Sequence, residues 1–306
     1  NVTVSGAGNS GNERGFAFTN SSYRAIFLEG TLNNFTLQNM FFKNVDDYVI
    51  SYVELNSKRY TGAENSFVTN LAFLNIDAEN VGPLIYLGGD ITSNGYMGLI
   101  KGVEIAHISC INSPDPGNVA FVGNAEDYNI HDNYVNNVNS ANNNHNGVFF
   151  ARGNGKFYNN KVVNHQGNAL RAWPYSITKN GVVEIYNNII FNSSKYSGFE
   201  LGAQPYIRAS SVYKPAKATV YNNTVGRMNA GKYSYPGRLL DTYTTDETID
   251  FYNNLGFELD GGTLINAQGE TKATIGANNV YKSSYTEAVY DLVNFVSKVS
   301  NSGAKL

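Results

Sequence analysis

The chain of 306 residues carries a formal net charge of −3 with only 15% charged residues, a balance that argues against nucleic acid or an anionic membrane as the main partner. About 45 asparagines, 22 tyrosines and 17 phenylalanines suit strands and turns, because Asn is a poor helix former and aromatics favour strands. No apolar run approaches the ~18 residues of a membrane span, and a lone cysteine, Cys110, excludes an internal disulfide while leaving the compartment open.

From the N-terminus, "NVTVSG" reads as a strand and residue 1 as a processed start. The Gly-rich "SGAGNSGNERG" (5–15) lacks the strand-then-helix setting of a phosphate loop. A template then recurs at intervals of about 25 to 37 residues: an apolar residue followed by amides at fixed offsets. Its starts are Leu37, Val68, Ile105, Ile130, Phe157, Ile185, Val220, Phe251 and Ile275, with Val4 as an earlier copy. Such a period marks a solenoid.

Columns follow. Two residues after the start stand Asn39, Asn70, His107, Asp132, Asn159, Asn187, Asn222 and Asn253. One further on stand Asn133, Asn160, Asn188, Asn223, Asn254 and Asn278. The seventh position holds Asn44, Asn75, Asn112, Asn137, Asn164 and Asn192. Amides in register can bond to the copies above and below, and Asn tolerates the left-handed backbone of a tight corner. His107 and Asp132 therefore read as ladder members.

A second strand follows in most units, usually after a glycine. Counting from that glycine puts Ile85, Phe150, Leu170, Leu201, Leu240 and Ile265 in one core column. Units this short suit two or three strands per coil. On coil length, Asn ladders and the opening "NVTVSG", the chain resembles the right-handed parallel β-helix proteins, the pectate-lyase-like superfamily, over roughly residues 1–283. The expected fold is thus all-β: one domain, 1–306, a right-handed parallel β-helix of about 9–10 coils. "SSYTEAVYDLVNFVSKV" has a helical apolar period and a capping box at Ser284 and Glu287, predicting a C-terminal capping helix over 284–299.

A solenoid keeps its core apolar, so function belongs on an outer face or in loops. On the second strand the outward residues Arg171, Trp173, Glu200, Gln204, Asp241 and Tyr243 fall on three successive coils, with Glu200 one column away from Arg171 and Asp241. The preceding turns add His165, Lys195 and Tyr196. Aromatics beside charges suit a sugar groove, with Trp173 stacking on a pyranose ring. "NSANNNHNG" (139–147) reads as a disordered or groove-lining loop without metal-ligand spacing.

The resemblance implies an extracellular polysaccharide as substrate or ligand, and a secreted, periplasmic or cell-surface location. Neither the "GHG" pattern of polygalacturonases nor the Arg-x-Pro-x-x-Arg of classical pectate lyases occurs. The leading expectation is a lyase on an acidic, uronate-containing glycan, with Arg171, Lys195, Tyr196 and Glu200 catalytic and Trp173, Gln204, Asp241, Tyr243 and His165 holding substrate. A lyase needs a base and a group that neutralises the substrate carboxylate, and Arg, an amide or Ca2+ fills the second role. No motif demands a cofactor or a metal. Two alternatives stand beside it: a glycoside hydrolase using Glu200 and Asp241, and a non-catalytic glycan-binding or adhesive β-helix. Oligomeric state is open.

Overall fold

The computed structural model describes residues 1–8, 13–92, 95–202, 204–210, 213–269 and 271–305; part of the Gly-rich 5–15 segment therefore lies outside the described residues. The chain winds through a parallel β-helix with three strand faces per coil. On the first face Val4, Leu37, Phe73, Ile105, Ile130, Phe157, Ile185, Val220, Phe251 and Ile275 stack in one column of ten. Phe73, not Val68, is therefore the rung between Leu37 and Ile105. Its amides are Asn75 and Asn80, which bond to Asn39 and Asn44 at 2.6 and 2.8 Å, while Asn70 bonds to Asn34.

The second face stacks Phe18, Phe42, Ala78, Cys110, Val135, Val162, Ile190 and Val225 inward. The third stacks Ile26, Ile50, Ile85, Ala120, Phe149, Leu170, Phe199, Leu240 and Ile265. Phe149 and Phe199 thus replace Phe150 and Leu201 in the core column. The coil glycines do not share a register: Gly147 lies opposite Asn168, and Ala169 donates its N–H to Gly198. Counting from them slips by one or two, and a slip of one turns a side chain to the other face.

Two ladders turn the corner between the first and second faces. The outer members from Asn39 to Asn278 all have positive φ, between 53° and 60°. His107 and Asp132 are among them. The inner members Asn133, Asn160, Asn188, Asn223, Asn254 and Asn279 are linked side chain to side chain at 2.9–3.2 Å. Asn279 takes the place expected for Asn278, because one residue is inserted at Gly276; Asn278 bonds to Asn253 in the outer row. Preceding the amides, His131, Tyr158, Tyr186, Tyr221 and Tyr252 stack ring on ring outside the first face, 4.7–5.1 Å apart.

The C-terminal segment departs from the expected helix. Only Tyr285–Ala288 is helical, and Val289 is already extended (φ −133°, ψ 158°). Glu287 accepts from Ser283 rather than closing a box with Ser284. The segment lies along the outside of the second face, where Ala288, Val289 and Phe295 bury Val163, Phe191, Leu255 and Phe257. Its valines are β-branched and disfavour helix, and an apolar sheet surface is available to cover. Among the described residues no helix is long and apolar enough to cross a membrane.

Candidate active site

The outward residues of the third face form a column whose chemistry changes along the solenoid. Tyr86, Phe121, Phe150, Arg171, Glu200, Asp241 and Asn266 are successive strand partners. The sequence pointed to Arg171, Glu200 and Asp241 as neighbours; the structure removes the lateral offset expected between them, so Glu200 lies between Arg171 and Asp241 on adjacent strands. Two residues on, a second outward column runs Arg152, Trp173, Gly202 and Tyr243.

Glu200 is 2% exposed. Arg171 Nε donates to its Oε1 at 2.6 Å, and His145 Nε2 is 2.6 Å from its Oε2. Burial pushes the Glu200 proton affinity up, but the His145 contact and the Arg171 charge outweigh it and hold the carboxyl below its usual range. Asp241 takes the opposite course. Its burial and the Glu200 charge beside it raise its pKa, although Asn266 donates to Asp241 Oδ1 at 2.6 Å. Tyr243 bonds to Asp241, and burial followed by that carboxylate raises the phenol's pKa.

The turns supply a lid. Tyr196 stacks on His145, with centroids 4.1 Å apart and planes at 16°, and packs on Tyr235 at 4.7 Å. Burial, then Tyr235, pushes its pKa up to about 12. Its φ of +76° is unusual for an aromatic residue. Lys195 is buried, and its ammonium donates to Asn143 O and Oδ1, both at 3.1 Å. The 139–147 segment thus lines the site rather than straying from it. Tyr206, Tyr233, Tyr235 and Tyr243 form an exposed aromatic rim at 48, 47, 44 and 37%.

Two expectations change. Trp173 offers no open stacking platform: it is 7% exposed, with the Arg152 guanidinium 4.1 Å from its ring centre and Tyr206 edge-on at 6.1 Å. His165 is buried at the end of a second-face strand, opposite Ser193, and presents nothing to a substrate. Burial lowers its pKa to about 3. Gln204 is half-buried at the N-cap of the short helix Pro205–Arg208, which carries Tyr206. Sequence reasoning missed His145, Arg152 and the tyrosines of 206, 233 and 235. For His145 the only signal was a titratable residue alone in an Asn-rich loop. Among the described residues no cluster of three or more His, Cys, Asp or Glu could hold a metal. No family model, curated protein or solved structure matches the chain.

Proposed function

We propose that this is a secreted or cell-surface polysaccharide-active β-helix protein that works on its third face, with Asp241 and Glu200 as the acid–base pair of a glycoside hydrolase. One observation carries this reading: two carboxylates on neighbouring strands have environments that push their proton affinities apart, the arrangement that divides acid from base. Asp241 keeps its proton to higher pH and would donate it to the leaving glycosidic oxygen. Glu200 stays ionised and would face the positive charge developing on the sugar ring. Strand spacing sets their backbones about 4.8 Å apart on adjacent strands, and the separation of the two carboxyl groups decides between retention and inversion. The rim tyrosines would carry the sugar chain.

Elimination from a uronate is less well served. Lys195 is committed to Asn143, Tyr196 is held protonated, and Arg171 is tied to Glu200. Non-catalytic glycan binding is the second reading, favoured by the 2 and 3% exposure of Glu200 and Asp241.

The test is a screen of neutral and acidic polysaccharides that reads new reducing ends and ultraviolet absorbance of unsaturated ends separately. Hydrolysis predicts reducing ends alone, a loss of about 10²–10⁴-fold in Asp241→Asn, and a bell-shaped pH profile. The acid limb follows protonation of Glu200 at its depressed pKa, and the alkaline limb follows ionisation of Asp241 at its raised one. Unsaturated products from an active Asp241→Asn variant would replace hydrolysis by elimination. Glycan affinity without any product would leave binding alone.

A further inference from the structure

Glu200 is covered by a segment that has no apolar anchor. His145, whose Nε2 lies 2.6 Å from Glu200 Oε2, belongs to residues 140–146, "SANNNHN". Both ends of this segment are fixed. Asn139 is buried; its Oδ1 accepts from Gly117 N at 2.8 Å, and its Nδ2 donates to Gly117 O and Gln166 O at 3.0 and 3.2 Å. Gly147 opens the strand Gly147–Tyr158 and pairs with Asn168. Other insertions on this face bury apolar side chains against Phe150 and Trp173: Ile91 and Tyr96 from the hairpin of Asp90–Thr92 and Gly95–Met97, and Ile207 from the helix Pro205–Arg208. In 140–146 the single apolar residue, Ala141, is exposed.

Polar contacts hold the segment down instead. Ala141 N donates to Pro114 O at 2.9 Å. Asn143 O and Oδ1 accept from the Lys195 ammonium at 3.1 Å, and Asn144 O accepts from Gln166 Nε2 at 2.6 Å. Asn146 Nδ2 donates to Gln166 Oε1 at 3.0 Å, and His145 O accepts from Arg171 Nη1 at 3.4 Å. Each of these bonds can be exchanged for one to water, and lifting the segment rehydrates Glu200, Arg171 and Lys195, charges whose desolvation opposes the closed state. Few buried apolar contacts place a segment at the low-stability end of a fold. The strands beneath it keep their ladder bonds and the core residues Phe149, Leu170 and Phe199.

We infer that residues 140–146 are a flap, latched by His145 on Glu200 and by Asn143 on Lys195, which opens as a unit over folded coils and gates access to Glu200. The inference names the regulation of the site proposed above and rests on that reading for its purpose; the motion itself is tested without a glycan. It reconciles a carboxylate that is 2% exposed with a site that must meet a polymer.

Amidation of carboxyl groups by a water-soluble carbodiimide and an amine, read by peptide mass spectrometry, reports access to Glu200 in the native protein. Glu126 is the internal control: it is also 2% exposed, but it accepts from Ile177 N and Thr178 N, both at 2.7 Å, away from the flap. Glu200 is expected to react at a rate that low urea leaves unchanged, and Glu126 only as the whole fold melts. His145→Ala and Asn143→Ala should each speed Glu200 by about tenfold or more, with Tm within a degree or two of wild type. Asn143 is bonded to Lys195 rather than to Glu200, so a gain in that variant reads movement of the flap and not a hole left by a missing ring. Labelling of Glu200 that tracks global unfolding, or a gain in His145→Ala without one in Asn143→Ala, overturns the flap. So does a Glu126 rate equal to that of Glu200, or variants that melt far below wild type. A wild type active on polysaccharide whose Glu200 labels only on global unfolding keeps the proposed function and loses the flap; gated labelling without any glycan activity does the reverse.

Discussion

Removing one amide from the inner ladder tests whether it holds the corner together. Asn188 is fully buried and makes four side-chain hydrogen bonds. Its Oδ1 accepts from Asn160 N at 3.0 Å and Asn160 Nδ2 at 3.1 Å; its Nδ2 donates to Phe157 O at 3.0 Å and Asn223 Oδ1 at 2.9 Å. Asn188→Ala strips the Asn160 N–H and the Phe157 carbonyl of their side-chain partners. Each buried polar group left unmade costs ~1–3 kcal/mol, so the loss for the two is about 2–6 kcal/mol, a large share of an ordinary domain's ~5–15 kcal/mol. Urea unfolding followed by circular dichroism reads this as a fall in the transition midpoint, and the slope reports whether the array still unfolds as one unit. Asn192→Gly is the control. Asn192 lies in an outer row with a φ of +60° and one exposed bond, to Asn164 at 2.7 Å, and glycine keeps its backbone, so the cost is about 1 kcal/mol or less. A loss below about 1 kcal/mol in Asn188→Ala, or equal losses in both variants, would refute the view that the inner amides hold the corner.

His165 makes stability depend on pH. Its folded pKa, about 3, lies below the ordinary histidine value, so between those two pH values the unfolded chain binds the extra proton and stability rises with pH. The contribution is whole above pH ~6.5 and falls by about 1.4 kcal/mol for each unit below it, down to the folded pKa. Urea midpoints measured at neutral and mildly acid pH should separate more in the wild type than in His165→Gln; identical slopes would show that the histidine is not the cause. Phe295→Ala tests the C-terminal strap. Phe295 is 2% exposed against Phe191, 5.3 Å between ring centres, and its truncation should cost about 3–5 kcal/mol and raise binding of a hydrophobic dye. An unchanged melt would mean that the strap contributes little.

The repeat was legible because two rules of the backbone write it into the residue types. An inward apolar residue stands opposite its copy on the next coil, and a left-handed corner selects Asn. Legibility failed where a single residue shifted the count. Val68 imitates Phe73 because "VTN" and "FLN" both carry an amide two residues on. Asn278 imitates Asn279 because Gly276 is inserted. Counting from the coil glycines lands one residue past Phe149 and two past Phe199. At the site, the residue types Arg171, Glu200 and Asp241 stood out, but their burial did not. It comes from the 139–147 segment and the Tyr233–Tyr235 turn folding over from other coils, and no local pattern announces such long-range cover. The C-terminal period misled because valines spaced for a helix can equally be spaced for a ledge along a sheet.

The seventh-position row, at the far end of the second face, shows what a corner itself requires. There the last coils replace Asn with Arg227 and Glu258, whose φ values of 53° and 50° match the asparagines. In place of an amide pair they make an ion pair of 2.8 Å between neighbouring coils. A left-handed residue with a polar reach along the axis is therefore the requirement, and Asn is the cheapest way to meet it. Tyr196 takes φ +76° outside the corner ladders, and its ring stacks on His145 and contacts Tyr235. A strained aromatic stacked on His145, which itself pairs with Glu200, belongs to the site rather than to the architecture.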